Sequence, residues 1–340
     1  MCAQNMNELK NKFDINGYCV ARELFTKSEI LKLESNIEKH IKKNLYNFKP
    51  REINIVNGKP NSVHNFRNNK YFDDLANNTK IINIVSELLN SKSKVKAMEY
   101  FAKPKKFGLA SPPHQDNFYW CFKRNLALTM WISLDYSNRK NGSVFYYNKS
   151  HKLGLLQHQN SYAPGSSQTI KKKAYSKLSG RRTFIELKPG DCLFHHCLVV
   201  HGSEKNISNK DRRGMVIQYN SCLDSIDKKK LSQYTSNLQK QIKARKKWMP
   251  KKQKYIAIIP ARGGSKELKN KNILEIASVP LIAYSIKAAQ ISKTISDVYV
   301  STDSAKIAKI AKDYGARVIK RPANLATDSA KQDDVMKHAV

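Results

Sequence analysis

Apolar residues early in the chain recur at the spacing of a helix: Ile30, Leu33, Ile37 and Ile41 fall three or four residues apart, on one face. Thr26-Lys27-Ser28-Glu29 precedes them as a capping box, and Phe25 and Ile30 are placed as a hydrophobic staple across it. A second helix is predicted over Lys80 to Leu89. From Val95 the period shortens to two. Leu128, Met130, Ile132 and Leu134 alternate with Thr129, Trp131, Ser133 and Asp135 as on a strand, and Asn141-Gly142 and Gly190-Asp191 mark turns. The expected architecture is a helical cover over a jelly-roll-like β core, with a site in the mouth of the barrel.

From Lys228 to Lys254 the pattern gives way to lysine: Lys228-Lys229-Lys230, Lys243-Ala244-Arg245-Lys246-Lys247 and Lys251-Lys252, interrupted by Pro250. This reads as a solvated helix followed by a linker. A new domain opens after it. Tyr255-Ile256-Ala257-Ile258-Ile259 is an apolar strand running into Pro260-Ala261-Arg262-Gly263-Gly264-Ser265-Lys266, a basic, glycine-rich loop whose backbone N–H groups can cradle phosphates. The spacing is not that of a Walker A loop. Pro280 suits the first turn of a helix through Ala289, Asp297 to Val300 reads as a strand, Ser304 to Tyr314 as a helix stopped by Gly315, and Arg317 to Ile319 as a strand. That alternation predicts a parallel, Rossmann-like α/β sheet. The expected division is a first domain over 1–242, a basic linker over 243–253 and a second domain over 254–340.

A length of 340 residues exceeds what a single core normally takes, which agrees with two domains. Hydrophobic residues make up 40% of the chain, enough to fill cores, yet no run approaches the roughly 18 apolar residues of a membrane span. Met1-Cys2-Ala3-Gln4-Asn5-Met6-Asn7-Glu8 lacks the apolar segment of a secretory leader. The cysteines at 2, 19, 121, 192, 197 and 222 are scattered without a C-x-x-C pair and read as reduced thiols. Both observations point to the cytoplasm. Lys and Arg number 62 against 27 Asp and Glu, a net charge of +35. The lysines are spread evenly and no helix-turn-helix, zinc-finger or RNA-binding aromatic signature accompanies them, so nucleic acid is not an expected partner. A phosphorylated or nucleotide-linked small molecule suits the positive field better.

Four residues carry the candidate chemistry of the first domain. His114 and Asp116 stand in Pro113-His114-Gln115-Asp116-Asn117-Phe118-Tyr119-Trp120, with His201 and Arg212 far downstream. Two imidazoles and one carboxylate leave about half of an octahedral ferrous ion's positions open. An arginine can clamp the distal carboxylate of a 2-oxo acid bidentately while the acid's other end reaches the metal. Other histidines compete. If 195 to 201 run as one strand, His195 shares a face with His201 but lies about 20 Å from it at ~3.3 Å per residue, and both cannot reach one metal. His195 and His196 are therefore read as packing or surface residues, as are His64, His151 and His158. Alternation puts Arg212 and Arg213 on opposite faces, so only one enters the barrel.

His114-Gln115-Asp116 with its aromatic pair, Leu128 to Asp135, Asn141-Gly142-Ser143 leading to Ser150-His151-Lys152, and Pro189-Gly190-Asp191 leading to His201-Gly202-Ser203 and Arg212 together resemble the phytanoyl-CoA dioxygenase family, over residues 10 to 240. The resemblance implies an α+β double-stranded β-helix (jelly-roll, cupin-like) domain and an Fe(II)- and 2-oxoglutarate-dependent dioxygenase. His114, Asp116 and His201 would be the iron ligands and Arg212 the 2-oxoglutarate anchor. Ser203 would assist at the same carboxylate, with Trp131 and Lys103 lining the co-substrate pocket. O2 and 2-oxoglutarate would yield succinate and CO2 while a small-molecule substrate is hydroxylated. The family resemblance favours hydroxylation over halogenation, because the related halogenases carry a small residue where Asp116 stands.

Ile259 to Lys266, Lys271-Asn272, Pro280-Leu281-Ile282-Ala283-Tyr284, Val300-Ser301-Thr302-Asp303, Arg321-Pro322-Ala323 and Leu325-Ala326-Thr327-Asp328 resemble the N-terminal part of acylneuraminate cytidylyltransferases, which activate nonulosonic acids with CTP. The resemblance implies CTP and Mg2+ as ligands, with Arg262 and Lys271 facing the triphosphate, Asn272 beside them, and Gly263, Gly264 and Ser265 forming the nucleotide loop. Glu267 and Lys269 depart from the family's glycine and proline. The later part of that fold does not follow in this chain, so cytidylyl transfer by the chain alone is not expected, and an unpaired sheet edge is a surface through which copies could pair. The fusion points to a substrate from nonulosonic-acid or surface-glycan metabolism. The alternative reading is a nucleotide-sugar binding or cytidylyl-transferring protein whose oxygenase domain is structural.

Overall fold

Helix α2 (Lys27–Asn44) starts where the capping box places it. The Thr26 N–H donates to Glu29 Oε2 at 2.7 Å and the Glu29 N–H to Thr26 Oγ1 at 3.3 Å, while Ile30, Leu33 and Ile37 are buried. The computed structural model describes residues 5–44, 48, 52–56, 59–67, 69–161, 167–178, 180–248, 255–264, 268, 270–276, 279–292 and 294–340. They fall into two compact units, Met1–Ala244 and Arg245–Val340. With α2, helices α1 (Met6–Asn16), α3 (Lys70–Ala76) and α4 (Thr79–Leu88) form one layer of the first unit.

The layer beneath is an antiparallel sheet of β1 (Tyr18–Ala21), β11 (Cys192–His196), β6 (Ala127–Ser133), β13 (Arg212–Ser221), β4 (Ser93–Lys103), β3 (Lys59–His64) and β2 (Ile53–Val56), in that spatial order. Strand alternation sorts its side chains. Met98 and Tyr100 of β4, Leu128, Met130 and Ile132 of β6, and Met215, Ile217 and Tyr219 of β13 pack under the helices, whereas Trp131, Leu193 and Val216 face the other way. Each fully buried Leu, Ile or Met stabilises by about 1.5–3 kcal/mol. An exposed pair such as Lys70–Asp74 contributes at most about 1 kcal/mol, so the core and not the charged surface holds these layers together.

A second sheet covers the inner face: β10 (Arg182–Phe184), β7 (Val144–Tyr147), β12 (His201–Ser203) and β5 (Ser111–His114), with a hairpin of β8 (His158–Asn160) and β9 (Gln168–Ile170) beside it. Tyr146 of β7 packs against Tyr18, Trp131, Leu193 and Val216 of the first sheet, closing the double-stranded β-helix. The single turn α5 (Asn117–Trp120) follows β5.

The expected single strand through both His195 and His201 does not form: β11 ends at His196 in the first sheet and β12 begins at His201 in the second. The chain crosses between the sheets over four residues, so the rings of His195 and His201 face each other at 4.3 Å between centroids instead of lying far apart along a strand.

Helix α6 (Lys228–Trp248) runs into the stretch read as linker. In the second unit β14 (Tyr255–Pro260), β17 (Ile295–Thr302) and β18 (Arg317–Lys320) form a parallel sheet, as strand–helix alternation requires. Helices α7 (Leu281–Ile291), α8 (Ala305–Asp313) and α9 (Gln332–Ala339) accompany it, and Ile282, Ile286, Val300 and Ile307 fill its core. A short ladder of β15 (Glu275–Ile276) and β16 (Val279–Pro280) precedes α7. Among the described residues no helix is long and apolar enough to cross a membrane.

Candidate metal centre and co-substrate pocket

His114 and His201 are direct cross-strand partners at the junction of β5 and β12, and Asp116 sits at the turn into α5. One ligand atom from each of the three lies within 4.8 Å of the others. Asp116 Oδ1 is 3.8 Å from His114 Nε2 and 3.6 Å from His201 Nε2. Each imidazole turns its other nitrogen to a carbonyl: His114 Nδ1 lies 2.8 Å from Pro112 O and His201 Nδ1 3.1 Å from Val199 O. Those contacts put the ring proton on Nδ1 and leave the Nε2 lone pairs facing the carboxylate. Burial, with each ring's imidazole neighbour, pushes both histidines down to about 4, so both are neutral at pH 7. Burial acts to raise the Asp116 carboxyl, but the imidazoles, His201 and His195 foremost, outweigh it and hold the group well below the carboxylate range. Three lone-pair donors meet with no proton between them. Such a cluster is repulsive by itself and fits a divalent cation, and an N,N,O set with open positions suits ferrous iron.

A second tier holds Asp116. Thr129 Oγ1 donates to Oδ2 at 2.6 Å, and His195 Nε2 lies 3.0 Å from the same oxygen. Tyr146 Oη, fully buried, is 2.8 Å from His195 Nδ1. Burial raises the Tyr146 phenol well above the usual tyrosine range, so it stays protonated and donates to Nδ1, and the His195 proton sits on Nε2, aimed at Asp116. His195 is thus neither a surface nor a mere packing residue. Sequence reasoning missed it, together with Tyr146 and Thr129, because the crossing after His196 carries no periodic signal. His196, by contrast, packs against Phe13 and His151, and His158 accepts from the Gln115 N–H at 3.1 Å while stacking on Phe118.

Arg212 enters the barrel and Arg213 leaves it. The Arg213 guanidinium bonds Asp135 at 2.7 and 2.9 Å and Glu34 at 2.5 Å on the helical side. Arg212 is buried, with its guanidinium 4.6 Å from the centre of the Trp131 ring and one donor to Gly142 O at 2.8 Å. Gly142, at φ +81°, makes the turn that aims this carbonyl. Gly214 is obligatory for another reason, since a Cβ there would come within 2.1 Å of the Trp131 indole. Burial lowers Arg212 to about 10, still a cation at pH 7. Its Nε and the buried Ser143 Oγ have no partner among the described residues, and a carboxylate is the ligand that would satisfy a buried guanidinium beside a hydroxyl. Lys103 is the cross-strand partner of Arg212, and its Nζ donates to Leu109 O at 2.5 Å and Glu204 O at 2.7 Å. Burial first, then the Arg212 charge, push it down to about 6. Ser203 is buried in β12, two residues past His201.

In the second unit the candidate nucleotide residues gather at the C-terminal ends of the parallel strands, the usual ligand crevice of such sheets. Arg262 pairs with Asp328 and donates to Thr327 O at 3.1 Å, the Gly263 N–H donates to Asp303 Oδ1 at 2.9 Å, and Asn272 Nδ2 donates to Arg262 O at 3.1 Å. Gly264 faces open space, Lys271 is exposed, and Ser265 lies outside the described residues.

Residues 13–214 match the model of the phytanoyl-CoA dioxygenase family. The chain belongs to the phytanoyl-CoA dioxygenase family. Solved structures similar to this family member include EctD from S. alaskensis in its apoform, at 20% identity and a TM-score of 0.56 over 65% of this chain and 79% of that one. Another is the epimerase SnoN in complex with Fe3+, alpha ketoglutarate and nogalamycin RO, at 18% identity and 0.53 over 65% and 85%. Residues 256–339 match the cytidylyltransferase model. This part is 51% identical over 87 residues to N-acylneuraminate cytidylyltransferase of Escherichia coli, covering 26% of this chain and 21% of that protein. It is 49% identical over 86 residues to CMP-N,N'-diacetyllegionaminic acid synthase of Campylobacter jejuni, covering 25% and 37%. The chain thus spans between a fifth and two fifths of the length of these relatives.

Proposed function

We propose that the first domain, residues 1–242, is an Fe(II)- and 2-oxoglutarate-dependent dioxygenase that hydroxylates a small molecule. His114, Asp116 and His201 would hold the iron, and Arg212, with Ser143 and Ser203 nearby, the distal carboxylate of 2-oxoglutarate. The observation that carries this reading is the pairing of a proton-free N,N,O cluster with a buried guanidinium that lacks a carboxylate partner. Bound iron would supply O2 activation coupled to 2-oxoglutarate decarboxylation. The chain's own residues do the rest. Trp131 stacks on Arg212 and keeps water from it, Lys103 lines the pocket beside Arg212 with its amine held by two carbonyls, and the Tyr146–His195 pair fixes which carboxylate oxygen of Asp116 faces the cluster. Asp116 fills a position that halogenating relatives leave open, which favours hydroxylation. The five described cysteines are all free, in keeping with work in the reducing cytoplasm.

Anaerobic addition of Fe(II) and 2-oxoglutarate should produce the visible absorption band of a ferrous 2-oxo-acid chelate, and admission of O2 should release succinate. Asp116→Ala should abolish both with little change in fold. Full succinate release by that variant would remove the ligand assignment.

A second reading concerns residues 254–340, beyond the basic linker 243–253, where the 51% identity favours binding of a nucleoside triphosphate, CTP with Mg2+, at Arg262, Gly263, Gly264, Ser265, Lys271 and Asn272. On this reading the dioxygenase substrate belongs to nonulosonic-acid or surface-glycan metabolism. Arg262→Ala should then weaken CTP binding by full-length protein, and an unchanged affinity would argue against it.

A further inference from the structure

A bulge places a lysine on the inner face of the barrel, close to the metal cluster. β4 and β13 pair in register from Arg212↔Lys103 to Gln218↔Ala97, then slip by one so that Tyr219 pairs with Val95 and Lys96 is left over. Met98 and Val95 both pack on the helical side, so the slip turns Ala97 and Lys96 together toward the inner face, as bulges beside active sites commonly do. Lys96 Nζ donates to Gln218 Oε1 at 3.0 Å and lies 5.0 Å from the centre of the Trp120 ring. Gln218 Nε2 donates to Glu99 Oε2 at 2.9 Å, and Glu99 Oε1 meets His64 Nδ1 at 2.7 Å. The bond to Gln218 engages one of the three N–H donors of Lys96, and among the described residues no carboxylate is in ion-pair contact with it, Glu99 and Asp116 acting on its charge from farther away.

Register ties this group to the metal. His195, Thr129, Gln218 and Ala97 lie in one row across β11, β6, β13 and β4, and the bulged Lys96 stands next to Ala97. Thr129 and His195 are the residues that hold Asp116, so Lys96 stands about two strand spacings, ~10 Å, from the cluster. Arg212 occupies a different direction, six residues from Gln218 along β13. A co-substrate held by Arg212 would therefore reach the cluster from the other end of β13 than a molecule held by Lys96.

We propose that Lys96, with the Gln218 amide, binds the carboxylate of the primary substrate, and that this substrate is a small hydroxylated acid whose hydroxyl groups reach Glu99 and His64. The proposal deepens the dioxygenase reading and rests on it for the position of the reacting carbon. One ammonium with a carboxylate one amide away suits a monoanion. A phosphate dianion would demand more than one cation and would be repelled by Glu99, and a substrate with no acceptor there would leave two N–H donors of the partly buried ammonium without a partner.

The test uses full-length protein loaded anaerobically with Fe(II) and 2-oxoglutarate, titrated calorimetrically with N-acetylneuraminate, gluconate and shikimate and with the methyl ester of each. At least one acid should bind, with its ester weaker by about 10-fold or more, the scale of a charge-assisted hydrogen bond. Lys96→Met should lose the same factor for the acid and none for the ester, and Lys96→Arg should recover most of it. Failure of all three acids to bind, equal binding of acid and ester, or unchanged acid affinity in Lys96→Met overturns the proposal. The acid–ester comparison on wild-type protein stands even if Lys96→Met does not fold. The ferrous 2-oxoglutarate absorption band, read in the same samples, separates the two readings: a wild type without the band refutes the dioxygenase assignment, whereas a band with no acid binding refutes only the role of Lys96.

Discussion

Tyr146→Phe removes one oxygen from a fully buried site and nothing else, which makes it the sharpest probe of how the metal cluster is held. The lost O–H is the donor to His195 Nδ1 at 2.8 Å, and His195 Nε2 in turn faces Asp116 Oδ2 at 3.0 Å. Without that donor Nδ1 is a buried acceptor with no partner, which costs about 1–3 kcal/mol. The ring can relieve this by moving its proton to Nδ1, but Nε2 then turns a lone pair on the carboxylate. Either way the orientation of Asp116 loosens. Loss of an outer contact to a metal ligand typically weakens metal affinity about 10- to 100-fold, or roughly 1.4–2.7 kcal/mol. Anaerobic Fe(II) titration should show that loss, and thermal unfolding of the apoprotein should fall by about 2–4 °C for each kcal/mol. Tyr18→Phe is the control. Its hydroxyl donates to Asn148 Oδ1 at 2.9 Å, away from the cluster, and its ring stacks on Tyr146 at 4.3 Å, so the variant perturbs the same stack without touching the relay. Equal iron affinity in Tyr146→Phe and wild type, or an equal loss in Tyr18→Phe, would refute the reasoning.

Further outcomes follow from the same geometry. Arg212→Lys keeps a charge but loses the planar fork, and the apparent affinity for 2-oxoglutarate, followed by the ferrous chelate band, should fall by ~1.5–3 kcal/mol. Arg213→Lys should leave that affinity alone and instead lower stability through its lost bonds to Asp135 and Glu34, and the reverse pattern would mean a shifted strand register. Burial foremost holds His158 down to about 4 and His196 to about 3, below the ordinary value of about 6.5. The unfolded chain therefore takes up protons before the folded one, so the stability these two histidines contribute to the apoprotein is full above about pH 6.5 and is lost as pH falls toward 4 for His158 and toward 3 for His196, by up to about 1.4 kcal/mol per pH unit for each. Chemical denaturation across that range checks the slope, and His158→Gln should flatten it. Asp328→Asn frees Arg262 from a partly exposed ion pair worth at most about 1 kcal/mol, so CTP binding measured by calorimetry should tighten about two- to fivefold.

Periodicity and spacing alone determined which way the elements face. The three- and four-residue recurrence of Ile30, Leu33 and Ile37 gives α2 and its buried side, and two-residue alternation along β6 separates Met130 from Trp131. The same alternation turns Arg212 inward and Arg213 outward, and a two-residue gap is enough to bring His114 and Asp116 together, because these are properties of one short segment. Two features depended on the whole fold. His195 reaches Asp116 because the chain leaves one sheet and enters the other between His196 and His201, and Lys96 reaches the inner face because a single bulge in β4 reverses the local alternation. Neither Tyr146 nor Thr129 carries a local mark of its role, since each acts through a residue distant in sequence. An element's own pattern records which side meets apolar surroundings. Which residues of different elements then meet is set by register and by crossings between sheets, and those are chosen by the packing of the complete core.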